Sequence, residues 1–221
     1  MNSLKYILLT CFILCNITKV IGQNHQNDFT KTLHHYYLEK DEKLLEHSIE
    51  FFNSNKFNSE QLTPMITGFY GGLFLKDAEV KEEFKIGFQK FEDPLLRKLF
   101  KQLLKAEDID ELMNGFPISP SQNDMNWAAF FSTGNTKYLT VILKNATHAE
   151  NREDLNLFLT GASAKWSLAS NAQNHKRVSN FLKKNKEYKD LSKDILEKEP
   201  ADFKKQIREV IIQERAKGNW L

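Results

Sequence analysis

From Leu95 to Leu104 the apolar residues fall at 95, 96, 99, 100, 103 and 104, the i, i+3, i+4 spacing that an α-helix gathers onto one side. Asp93-Pro94 stands just before them. A carboxylate there accepts from the free amides of the first turn, and proline fills a position where no amide donor is needed. The same wording recurs along the chain. Asp77 precedes Val80, Phe84, Phe88 and Phe91; Ser59, with Pro64 near the first turn, precedes Met65, Ile66, Phe69, Leu73 and Phe74; Pro200 opens Phe203, Ile207, Val210 and Ile211. Turn formers are scarce. Nine Gly and five Pro in 221 residues are about half the usual combined share, and the five Val are too few for a sheet protein. The reading is all-α and without a sheet: a single domain over residues 23–221, built of stacked antiparallel helix pairs in a short αα-superhelix.

The first 22 residues have a different character. Lys5 precedes the apolar stretch Tyr6 to Cys15, and Val20-Ile21-Gly22 supplies branched or small residues where a signal peptidase reads. The uncharged run Tyr6–Thr18 is 13 residues, short of the ~20 that cross a bilayer. Leu14 before Cys15 and Thr10 before Cys11 do not offer the small residue of a lipoprotein signal. Residues 1–22 are therefore expected to be a cleaved signal peptide, giving a periplasmic or extracellular protein with no stable membrane insertion. Both cysteines, Cys11 and Cys15, would leave with the signal, and with them any disulfide, thiolate ligand or thiol nucleophile.

Past residue 22 the chain carries 29 basic and 29 acidic residues. Residues 175–221 hold 13 Lys/Arg against 8 Asp/Glu, a balance of +5, which leaves −5 on residues 23–174. Acids interleave with the bases, so the segment reads as mixed-charge helix faces and predicts no nucleic-acid partner.

Gly115 to Asp124, with Pro117 and Pro120, reads as the one extended loop, and Met125–Thr133 as a helix closed by Gly134. Two segments share an order of residue types: Tyr70-Gly-Gly-Leu-Phe74 and Trp127-Ala-Ala-Phe-Phe131 each place an aromatic, two small residues and two large apolar ones in a row. Trp166 again follows small residues, Gly161-Ala-Ser-Ala164. Small residues beside a ring let a neighbouring helix approach closely. The segment Trp127-Ala-Ala-Phe-Phe-Ser-Thr-Gly-Asn135 with Tyr138-Leu139, followed by Ala162-Ser-Ala-Lys-Trp-Ser-Leu-Ala-Ser-Asn171, resembles exported bacterial α-helical repeat-like proteins and is loosely similar to tetratricopeptide-type helix pairs. The resemblance covers Trp127 to Leu182 without their fixed period. It implies paired helices and protein binding, and carries no catalytic residue.

No reaction is spelled out. His34, His35 and His47 are close in sequence and His35 and Glu39 stand one helical turn apart, but HExxH and Glu-x-x-His are absent, so no metal or other cofactor is expected. Neither G-x-S-x-G nor S-x-x-K occurs, and Gly68-Phe-Tyr-Gly-Gly72 lacks the Lys-Ser/Thr of a phosphate loop. Carboxylate pairs such as Glu82/Glu83 and Asp108/Asp110/Glu111 are abundant without one standing out. Asn145-Ala-Thr147 fits the glycosylation acceptor pattern. Ser163, Ser167, Asn171 and His175 recur every fourth residue beside Trp166; on one helix they form a polar stripe able to offer hydroxyl, amide and imidazole groups to a partner. Trp127 joins them as a candidate aromatic anchor. The expectation is an exported, non-catalytic protein-interaction or scaffold module, with a cell-envelope hydrolase working on peptidoglycan or polysaccharide through an acidic pair as the alternative.

Overall fold

The computed structural model describes residues 24–54 and 59–220, with side chains from 29 and, beyond the break, from 61. The signal-peptide reading of residues 1–22 falls outside them. All regular structure among the described residues is helical and none is a strand, so the all-α expectation holds. The described residues divide into two compact units: one holds those up to Pro117 together with Asp124–Asn135, the other Ile118–Asn123 and those from Thr136 onward.

The first unit contains α1 (Asn24–His35), α2 (Leu44–Ser54), α3 (Ser59–Ile66), a π-turn (Thr67–Gly71), α4 (Gly72–Lys76), α5 (Ala78–Gly87), a 3-10 turn (Phe88–Lys90), α6 (Pro94–Lys105), α7 (Ile109–Asn114) and most of α8 (Pro120–Thr133). The two expected aspartate caps form. Asp77 accepts from the Val80 amide and Asp93 from that of Leu95, with Pro94 opening α6. Of the α6 stripe, Leu96, Phe100, Leu103 and Leu104 are buried while Leu95 faces out. Pro64 lies inside α3, where it removes one i−4 bond, and the helical ladder widens to the π-turn three residues later. That turn is wholly buried. Its Tyr70 packs edge-on against Phe100 at 4.9 Å and tilted against Phe84 at 5.2 Å, and Phe91 stacks on Phe100 at 4.6 Å.

The two aromatic–small–small segments lie against each other in this unit. A Cβ on Gly72 would sit 3.3 Å from Ser132 Oγ and 3.7 Å from Ala129 Cα, and one on Gly68 would sit 1.9 Å from the Met125 carbonyl oxygen. Missing side chains on one helix thus seat the backbone of the other, as their composition suggested.

The second unit contains α9 (Lys137–Asn145), a 3-10 segment (Ala146–Glu150), α10 (Leu155–Asn174), α11 (Lys176–Lys184), α12 (Lys189–Glu197) and α13 (Pro200–Ala216). The twenty-residue α10 is the axis of the unit and touches α9, the 3-10 segment, α11, α12 and α13. Gly161 allows this: a Cβ there would meet the Ala149 nitrogen at 2.0 Å. Gly134 closes α8 with φ of 69°, the left-handed conformation expected of a helix-ending glycine.

The loop expected through Asp124 is shorter. Helix α8 begins at Pro120, because Ser119 Oγ accepts from the Gln122 amide at 3.3 Å and Pro120 takes the first helical position, the same cap logic as Asp93-Pro94.

Candidate functional site

Four of the six residues nominated from sequence fall on one element and a fifth adjoins it. Ser163, Trp166, Ser167 and Asn171 lie on α10, and His175 is the single residue joining α10 to α11. The fourfold spacing is real, but the polar groups are engaged along their own helix. Ser163 Oγ donates to the Thr160 carbonyl at 3.0 Å, Ser167 Oγ to that of Ala164 at 3.2 Å, and Asn171 Nδ2 to that of Ser167 at 2.9 Å. Trp166 is buried, its indole N–H meets no acceptor among the described residues, and Lys204 Nζ stands 4.7 Å from the ring centroid.

His175 is buried and works through its backbone. Its N–H donates to the Asn171 carbonyl at 2.8 Å, and its carbonyl accepts from the amides of Val178 at 2.9 Å and Ser179 at 3.2 Å. One residue thus ends α10, starts α11 and fixes the direction in which α11 leaves. Trp127 belongs to the first unit, where it is buried, stacks on Phe131 at 5.5 Å and meets Phe130 edge-on at 5.9 Å.

A buried amide network backs the stripe. Asn123 Nδ2 donates to the Thr160 carbonyl at 2.9 Å and to Ser163 Oγ at 3.2 Å; Asn145 Nδ2 donates to Asn123 Oδ1 at 2.8 Å and Gln122 Oε1 at 3.1 Å. It pins α9 and the first turn of α8 to α10. It also bears on the acceptor motif at Asn145. That residue is 4% exposed, and its Nδ2, the atom a glycan would take, is the one making both bonds, so the folded chain does not present it.

The three histidines that lie close together in sequence are dispersed into separate contacts. His34 stacks on Phe131 at 4.8 Å, His35 Nδ1 bonds the Lys31 carbonyl at 3.0 Å, and His47 Nδ1 meets Asp41 Oδ2 at 2.7 Å. No group of three His, Cys, Asp or Glu able to hold a metal occurs among the described residues. Elsewhere in the first unit Lys40 Nζ lies 2.6 Å from Asp77 and holds that carboxyl below the usual range. Burial pushes Tyr70 and Tyr36 upward, and Tyr70 shares a 2.7 Å hydroxyl bond with Ser48. Asp124 is pushed by burial up to about 7, so it retains its proton to near neutrality.

The feature the sequence reading passed over lies on α11. Val178 and Leu182 are buried, whereas Lys176, Arg177, Asn180, Lys183 and Lys184 are exposed, as is Lys186 in the following turn. At 100° per residue the four helical cations cover an arc of about 120°, with the Asn180 amide at its centre. Residues 176–186 contain no acid, and none of the five cations forms an ion pair among the described residues. Averaging charge over residues 175–221 hid this run, because every acid of that segment lies after Lys186.

No helix among the described residues is long and apolar enough to cross a membrane. No protein-family model matches the chain, and no curated protein or solved structure does either.

Proposed function

We propose that the chain is an exported, non-catalytic protein-interaction module that docks an acidic partner on the α11 face of its second unit. One observation carries the reading: five exposed cations that form no ion pair among the described residues, four of them on a helix whose other side is locked into a core and the fifth in the turn after it. A surface helix normally interleaves acids to balance such a row; this one leaves its positive potential open to an incoming anion. Ser163, Trp166, Ser167, Asn171 and His175 then serve the site from beneath, by fixing α10 and its one-residue junction to α11. The signal-like residues 1–22 supply the address.

The test is affinity capture from native envelope and culture fractions with the tagged full chain, side by side with a Lys176→Glu/Arg177→Glu/Lys183→Glu/Lys184→Glu variant. A partner held by the parent and released by the variant, with far-UV CD unchanged, supports the reading. An identical set of proteins on both baits contradicts it.

A hydrolase that works through a histidine, and not through the acidic pair expected from the sequence, has one observation in its favour. Asp41 holds His47 Nδ1 at 2.7 Å, the orienter–base arrangement that hydrolases use to activate a nucleophile. Turnover of peptidoglycan or polysaccharide by the purified chain, abolished by His47→Gln with the fold intact, would establish it.

A further inference from the structure

The charges of this chain are sorted between its units. Residues 24–117 and 124–135 carry 12 Lys/Arg and 18 Asp/Glu, a balance of −6; residues 118–123 and 136–221 carry 17 and 11, a balance of +6. Neither figure is strange alone. Together they leave residues 24–221 with no net charge to keep copies apart and give the two units fields of opposite sign.

The sorting extends to the spacing of single residues. On α11 the exposed row is Lys176, Asn180, Lys184, successive fourth positions. On α2 and the turn leading into it, the exposed row is Glu42, Glu46, Glu50, again successive fourth positions. Each row runs about 12 Å along its helix from first charge to last. Lys43 answers Glu46 at 4.0 Å, and Glu46 is the member that would face the neutral Asn180. Glu42 and Glu50, the two that would face Lys176 and Lys184, form no ion pair among the described residues. Asp41 caps the start of α2 through the Lys43 amide at 2.9 Å, and buried Leu44, Ser48 and Phe52 hold its inner side, so this row too stands on a fixed helix.

We propose that the α11 face receives the Glu42–Glu46–Glu50 row of a second copy of this chain, so that the protein associates head to tail through unlike surfaces. This rests on the α11 face being the docking surface and names its occupant. A contact of this kind joins two different patches, which leaves one of each free at the ends of a pair and permits growth into a ring or an open chain. Exposed ion pairs hold it, so it is weak and strongly dependent on salt.

The experiment is sedimentation velocity of the purified full chain over a concentration series at low and high NaCl. Two charge variants run beside it, Lys176→Glu/Lys184→Glu and Glu42→Lys/Glu50→Lys, together with an equimolar mixture of the two. The expected result is concentration-dependent association of the parent that weakens about tenfold or more between low and high salt. Each double variant alone should be monomeric over the same range. In the mixture the reversed rows of the two proteins complement each other, and hetero-association should return to within about threefold of the parent. A mixture that stays monomeric although the parent associates overturns the assigned rows, and a parent that is monomeric at every concentration in low salt overturns the proposal outright. Loss of a captured acidic partner on reversing the α11 charges, with the parent monomeric, would separate the outcomes: the docking surface would stand and a second copy would not be its occupant.

Discussion

A Cβ on Gly68 would lie 1.9 Å from the carbonyl oxygen of Met125, so the buried π-turn and α8 meet at a backbone-to-backbone separation that no side chain permits. Gly161 stands in the same relation to the Ala149 nitrogen, at 2.0 Å. Each unit thus holds one glycine contact in which the obstructing atoms are backbone. Gly68→Ala and Gly161→Ala should each cost about 2–3 kcal/mol or more, because the obstructing atoms are backbone and cannot swing aside. Thermal unfolding followed by CD checks this, and a melting temperature unchanged in either variant would mean that the contact is looser than described.

Asn145 supports the second unit through both hydrogens of its amide. Asn145→Ala leaves Asn123 Oδ1 buried without its donor and should lower stability by about 1–3 kcal/mol, the range for orphaning a buried polar group. Asn145→Asp should fare no better, since a carboxylate cannot donate to either acceptor. Urea unfolding at neutral pH measures both.

Burial raises the Asp124 carboxyl from the ordinary aspartate range to about 7, and the sign of its effect on stability follows. The folded chain keeps the proton where the unfolded chain has released it, so stability falls as pH rises from near 4 towards 7. The slope is at most about 1.4 kcal/mol per pH unit for one group. Asp124→Asn should flatten that dependence and melt higher than the parent at pH 8. Parallel pH profiles for parent and variant would contradict it.

Ser48 and Tyr70 share a buried hydroxyl bond. Tyr70→Phe removes it while Ser48 keeps its bond to the Leu44 carbonyl, so the loss should be small, about 1 kcal/mol. Tyr70→Ala, which empties a site lined by Phe69, Phe74, Phe84 and Phe100, should cost about 3–5 kcal/mol. Denaturant midpoints of the two variants give the comparison.

What was legible in the sequence is what local chemistry decides. Asp77, Asp93, Pro94, Gly134 and Pro200 act on the amides and dihedrals of their own turn, and each sits where its residue type predicts. Pro120 carried the same signal and was lost among the loop-forming residues around it. Asn123 looked like loop wording for a further reason: a buried asparagine is tolerable only when distant groups satisfy it, and its partners, Asn145, Thr160 and Ser163, are 22 to 40 residues away. The stripe on α10 was found by its period, yet period alone cannot tell a side chain that faces a partner from one bonded back to its own helix. The α11 cations were plain in the letters; only the burial of Val178 and Leu182 shows which way they point.

The most direct test of the docking surface is site-specific photocrosslinking in the native host, with a photoreactive residue at Asn180, the centre of the cationic arc, and a second at Lys101, exposed on α6 of the other unit. The account predicts discrete protein adducts from position 180 that vanish when Lys176 and Lys184 are reversed to glutamate, and none of the same adducts from position 101. Equal labelling from both positions, or no adduct at 180 from a folded, exported chain, would contradict it.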